Sequence, residues 1–177
     1  MRLIKEFIHK DLTSLDGMVF HRRAARGIIL RGSDILLLYT KRYNDYSFPG
    51  GGLEADEDLI AGLEREIAEE TGASGISILQ EFGMTEEYRP YHKPGYDLVH
   101  MLSYYYVCKA DERLGEVRME DYEVANGMSA VWIPVNDAIE HNRMVMKNKE
   151  SSMGLSIERE TCVLELVAKE LLHSPAP

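Results

Sequence analysis

Gly51-Gly52-Leu53-Glu54-Ala55-Asp56-Glu57-Asp58-Leu59-Ile60-Ala61-Gly62-Leu63-Glu64-Arg65-Glu66-Ile67-Ala68-Glu69-Glu70-Thr71-Gly72-Ala73 holds the most specific pattern in this chain. It opens with glycines that follow Phe48-Pro49-Gly50, a run that forbids a helix and permits unusual backbone angles. From about Glu57 to Thr71 the pattern turns helical, with Ile60, Leu63 and Ile67 at i, i+3 and i+7. Acidic residues crowd its start, where the helix dipole favours negative charge, and Gly72 is placed to cap its end.

Glu66, Glu69 and Glu70 stand at i, i+3 and i+4 and therefore share one helix face. Gly62, a turn earlier, is expected to leave that face unshielded. Three close carboxylates repel one another, and a hard cation resolves the conflict; Mg²⁺ or Mn²⁺ suits such oxygen donors. The bland alternative is a solvated acidic face with Arg65 and Glu69 paired at i, i+4. The glycine loop and Glu57, at their particular offsets, favour the metal reading.

The segment resembles the Nudix box, G-x5-E-x7-R-E-U-x-E-E-x-G-U with U apolar. Gly51, Glu57, Arg65, Glu66, Ile67, Glu69, Glu70, Gly72 and Ala73 occupy every specified place, Ala73 being a small choice for the last. The resemblance implies an α/β fold, specifically an α/β/α sandwich with a mixed sheet and a catalytic loop-helix-loop. It implies hydrolysis of a nucleoside diphosphate linked to another moiety: a nucleotide sugar such as ADP-ribose, a dinucleoside polyphosphate or a nucleoside triphosphate. By position, Glu66, Glu69 and Glu70 would be catalytic metal ligands, with the Gly50 carbonyl a further ligand. Glu57 and Arg65 would hold the loop and helix in place.

Working outward, Ala24–Arg31 and Ile35–Tyr39 read as a hairpin turning at Gly32-Ser33-Asp34. Ile76–Leu79 reads as a short strand, followed by a loop from about Glu81 to Tyr96. Leu98–Ala110 is an aromatic-rich strand, and an acidic segment from Asp111 to Met128 leads to a strand at Ala130–Pro134. A short helix over Val135–His141 and a last helix from Ile157 to about Leu172, N-capped by Ser156, complete the pattern. Strands alternating with helices imply a mixed sheet covered on both faces.

A base from outside the box is expected in the acidic segment, where Glu120 is preferred over Glu116 and Glu123; Glu86 and Glu87 compete. Arg42, Tyr88 and Tyr91 are candidate substrate contacts, the tyrosines for stacking on a base. Arg22, Arg23 and Arg26 are read chiefly as partners for the protein's own carboxylates. His92 and His100 lack metal-ligand spacing. In relatives acting on ADP-ribose a proline lies beyond the box, which Pro90 or Pro94 fits; in those acting on dinucleoside polyphosphates a tyrosine does, which Tyr88 or Tyr91 fits. One loop matching both discriminates neither. The coenzyme A signature and the SQPWPFP signature of NADH pyrophosphatases are absent.

The chain has 177 residues, 45% of them hydrophobic and 28% charged, enough for one ordinary domain with a core of its own. A net charge of −10 argues against nucleic-acid binding. Cys108 and Cys162 read as reduced, and with neither a signal peptide nor a spanning run the expectation is a cytoplasmic protein without membrane contact. Two other functions compete with the enzyme: a non-catalytic nucleotide-binding regulatory module, disfavoured because no box carboxylate is lost, and an RNA-end pyrophosphohydrolase. Residues 21–177 are assigned to the Nudix domain, C-terminal helix included. Residues 1–20, with Leu3, Ile4, Phe7 and Ile8, are expected to add an edge strand or to pack across a homodimer.

Overall fold

The computed structural model describes residues 1–54, 56–91, 93–111 and 113–172; His92 lies outside them. Seven strands form a mixed sheet: β1 (Leu3–Ile8), β2 (Val19–Arg31), β3 (Asp34–Thr40), β4 (Asp45–Ser47), β5 (Ser77–Pro90), β6 (Leu98–Lys109) and β7 (Met128–Pro134). Along the sheet the order is β1-β5-β6-β2-β3-β4, with β7 on β3. The β1–β5 and β2–β6 pairs are parallel and the others antiparallel.

Helix α1 (Leu59–Thr71) covers one face, where Leu63 and Ile67 pack on Ala25, Ile29, Leu36 and Tyr106. On the other face α3 (Val135–Asn148) and α4 (Ile157–Val167) bury Val135, Ala138, Val163 and Leu164 against Ile28, Ile35, Leu37 and Phe48. The sandwich implied by the box is therefore present.

The expected hairpin is there but brief. Only Leu30↔Ile35 and Arg31↔Asp34 pair, because β2 gives the rest of that edge to the glycine-rich loop. The Ala25 and Gly27 amides donate to Gly51 and Pro49 carbonyls (3.1 and 2.9 Å), and the Leu53 amide donates to Arg23 (2.9 Å). The loop of the box is thus laid along β2 like a strand. The other edge of β2 pairs with β6 from Val19↔Leu98 to Ile29↔Cys108, so the strand begins before Ala24.

The loop expected from Glu81 to Tyr96 is corrected: its first ten residues belong to β5. The alternation there was hidden because Thr85 and Glu87, both buried, are polar, and Glu87 meets a buried arginine from α4. Tyr88 therefore sits on a strand. The acidic segment holds a short helix, α2 (Asp121–Ala125), and the short helix expected at Val135–His141 runs on to Asn148. Ser156 stands at the start of α4, but its side chain makes no capping hydrogen bond there; α4 continues as a π-helical turn over Ala168–Leu172. No helix among the described residues is long and apolar enough to cross a membrane.

Candidate active site

The box helix is fixed at both ends by its own sequence. The Asp58 carboxylate accepts from the Ile60 and Ala61 amides (2.9 and 3.1 Å), and Gly72 adopts a left-handed φ of 70°. Arg65 makes a bidentate pair with Glu57 (2.9 and 3.0 Å) and also donates to Glu66 (2.8 Å) and Glu69 (3.2 Å). These bonds hold the Glu57 carboxyl below its usual range. Gly62 does not open the carboxylate face as expected. A Cβ there would come within 2.3 Å of Leu53 and 2.9 Å of Glu57, so this glycine lets the loop close over the helix.

Beside α1 lies a cavity of about 490 Å³. Gly50, Gly51 and Gly52 line it together with Glu66 and Glu70 from α1, Glu120, Tyr122 and Glu123 from around α2, and Arg22 and Arg26 from β2. Asp45 and Glu160 also line it. The Gly50 amide donates to Glu70 (2.6 Å), while the Gly50 carbonyl accepts from Arg26. Gly50 can do both because its φ is 117° and a Cβ would lie 2.2 Å from the Ala25 carbonyl oxygen.

Burial pushes the Glu70 carboxyl up to about 8, against the Gly50 bond, and pushes Glu66 upward too; Glu123 adds to both shifts through its own charge. Glu123 is buried, its carboxylate accepting from the Glu120 amide (2.8 Å) and the Tyr122 hydroxyl (3.1 Å). Its place beside α1 follows from the segment before it, where the Arg118 amide donates to the Glu69 carbonyl (2.7 Å).

The sequence-derived candidates divide. Glu66, Glu70, Gly50 and Glu120 line the cavity, Glu120 from an exposed position. Glu69 does not; it faces Arg65. Arg42 donates to Asn126 (3.0 Å) outside the cavity, and Tyr88 stacks on His100. Tyr91 lines a neighbouring hollow. Glu86 bonds Tyr88 and His100, and Glu87 is buried against Arg159, so neither reaches the carboxylates. Arg22 and Arg26, read from sequence as partners for the protein's own carboxylates, face the cavity, where the Arg26 charge acts on Glu66 and Glu70. Their alternation along β2 was the available signal.

Among the described residues no three Asp, Glu, His or Cys side chains converge as a ready-made metal shell. The donor set nevertheless fits Mg²⁺ or Mn²⁺. Glu66, Glu70 and Glu123 are hard oxygen donors whose mutual repulsion a cation relieves, and Mg²⁺ completes its shell with water and substrate phosphate.

A model of the NUDIX domain matches residues 21–153, well over half of the chain. The chain belongs to the NUDIX family. It is 33% identical over 113 residues to the human protein named diphosphoinositol polyphosphate phosphohydrolase 3-alpha, covering 62% of this chain and 60% of that one. It is 36% identical over 70 residues to an RNA pyrophosphohydrolase of Thioalkalivibrio sulfidiphilus, covering 38% and 40%. The NUDIX chain thus spans less than two thirds of these relatives. Among solved structures it shares its fold with a NUDIX hydrolase from Nitrosomonas europaea (TM-score 0.55, 16% identity, covering 84% of this chain and 90% of that one). A MutT protein from Bacillus halodurans is similar as well (TM-score 0.53, 22% identity, covering 86% and 83%).

Proposed function

We propose that this protein is a metal-dependent hydrolase that cleaves a diphosphate linkage in a small phosphorylated substrate, a nucleoside diphosphate linked to another moiety. The observation that supports the reading is one cavity lined by buried Glu70 and Glu123, half-buried Glu66, Arg22 and Arg26, around a glycine loop. Carboxylates and guanidiniums lining one cavity suit a cation-bridged polyphosphate. Glu66, Glu70 and Glu123 would hold Mg²⁺ or Mn²⁺, with the Gly50 carbonyl as a further donor and Glu69 joining them on release from Arg65. The ion would offset phosphate charge in a loose transition state and make water a better nucleophile.

The protein's own groups supply the rest. Arg22 and Arg26 orient phosphate oxygens with planar donors. Glu120, at the exposed rim, takes a proton from the attacking water. Arg65 and Glu57 keep the loop and helix in register. The free thiols Cys108 and Cys162 fit the reducing, cytoplasmic setting expected from the sequence. Leu3 and Ile8, exposed on β1, offer the homodimer contact.

The test is a panel of ADP-ribose, dinucleoside polyphosphates, nucleoside triphosphates, diphosphoinositol polyphosphates and triphosphorylated RNA, assayed for phosphate products with Mg²⁺. Metal-dependent turnover of a nucleoside diphosphate derivative is expected. Turnover of the inositol or RNA substrate alone would move the substrate class to that of the respective relative, and none at all would leave a binding module.

A further inference from the structure

A second hollow, of about 580 Å³, adjoins the carboxylate cavity and shares Arg22 and Gly52's neighbourhood with it. The Arg22 guanidinium rests on Gly52, where a Cβ would come within 2.3 Å of its terminal nitrogen. Arg23 and Lys93 bring further positive charge, and Glu54 is the carboxylate lining the hollow among the described residues. Phe20 and Tyr91 stack face to face at its edge (4.9 Å, 6°). Such a lining suits an anion.

His21 and His100 also line it, and they are chained to a carboxylate. Their Nδ1 atoms lie 3.0 Å apart, and His100 Nε2 lies 2.7 Å from Glu86. Glu86 accepts from the Tyr88 hydroxyl as well (2.9 Å), and the Tyr88 ring lies flat against His100 (4.6 Å, 11°). Hydrogen bonds from Tyr88 and then His100 hold the Glu86 carboxyl below its usual range, so it remains an acceptor; the charge of Glu6 on β1 helps to keep the Tyr88 hydroxyl protonated.

The protons that these side chains can hold fix their behaviour. His100 must carry a proton on Nε2 to serve Glu86, and only one proton fits between the two Nδ1 atoms. With both rings neutral, His21 donates from Nδ1 and its Nε2 is a bare lone pair, which repels an anion. One added proton makes His100 an imidazolium donating at both ends, and His21 then carries its proton on Nε2. That nitrogen has no partner among the described residues.

We propose that this hollow binds a second phosphoryl group of the substrate, and that filling it draws a proton from solvent onto the His21–His100–Glu86 chain. The role in substrate binding rests on the hydrolase reading; the phosphate affinity does not. The full chain, in EDTA, is titrated with inorganic phosphate at neutral pH. Histidine side-chain NMR follows the rings, and calorimetry in two buffers of different ionisation enthalpy follows proton uptake. His100 is expected to shift to the protonated pattern and His21 from the Nδ1–H to the Nε2–H tautomer, with uptake of about one proton. His21→Gln and His100→Gln are each expected to weaken phosphate binding roughly tenfold and to abolish the uptake. Histidine signals unmoved by phosphate, or variants that bind it as the parent does, overturn the proposal. A protein that shows the histidine response but hydrolyses nothing in the panel loses the hydrolase reading and keeps the phosphate site.

Discussion

Glu70 carries the sharpest single-residue consequence. The residue is 4% exposed, and burial pushes its carboxyl up to about 8, from 4.5 in the unfolded chain. Between those values the folded metal-free protein holds a proton that the unfolded chain has released, so stability falls as pH rises from about 4.5 to 8. Asp45, pushed up to about 7 by burial and by Glu160, acts in the same direction. Glu70→Gln should therefore flatten this decline and raise the melting temperature in EDTA at pH 8 by about 5–10 °C. The same change should cost at least ~10²-fold in metal-dependent turnover. A variant that melts like the parent across the pH range, or turns over normally with Mg²⁺, would refute the assignment. For Glu120→Gln a fall in kcat of ~10²-fold or more is expected with little change in KM, together with an altered acidic limb of the pH profile. If Glu123→Gln shows that pattern instead, the base is Glu123. The box residues were legible in sequence because their spacing is local. The place of Glu123 was not, since it depends on the Gly115 and Arg118 amides donating back to Gly72 and Glu69 at the end of α1.

At the level of elements, the sandwich is joined through its middle by Arg159. This α4 residue, 2% exposed, donates to Glu87 on β5 (2.8 Å), to Glu160 (2.6 Å) and to Ser103 on β6 (3.1 Å). Glu160 in turn accepts the Phe48 amide (3.1 Å), directly ahead of the glycine loop. Arg159→Met would strand two carboxylates in the interior. An uncompensated buried charge costs about 3–5 kcal/mol, so denaturant unfolding should show a loss of that order. A loss under about 1 kcal/mol would mean that the carboxylates find other partners or protons at little cost. The same network explains what the sequence concealed. Apolar periodicity revealed α1 and much of β6, whereas β5 disguised itself because its inward positions are Thr85 and Glu87. The last helix was visible from its apolar stripe, but its charged residues gave no sign that they reach the loop.

Across the whole molecule, β1 lies at one edge of the sheet, in parallel register with β5 from Leu3↔Met84 to Ile8↔Tyr88, and it buries Phe7. Removing residues 1–20 would bare the long β5 edge. A chain starting at His21 should melt at a lower temperature and sediment with aggregates, and if the proposed homodimer forms through exposed Leu3 and Ile8 the truncation should abolish it. Sedimentation and melting unchanged by the truncation would make β1 dispensable. The sequence marked this segment as apolar enough to need covering, yet the parallel pairing with a strand some eighty residues away leaves no local trace. The NUDIX match ends at residue 153, and α4 begins at Ile157, yet Glu160 both lines the cavity and grips the loop amide. The boundary of recognisable inheritance and the boundary of the working machine are therefore different. A protease nick between Lys149 and Gly154 would spare every hallmark residue, and the larger fragment would still be recognised as kin. It would nonetheless be a vessel missing one wall.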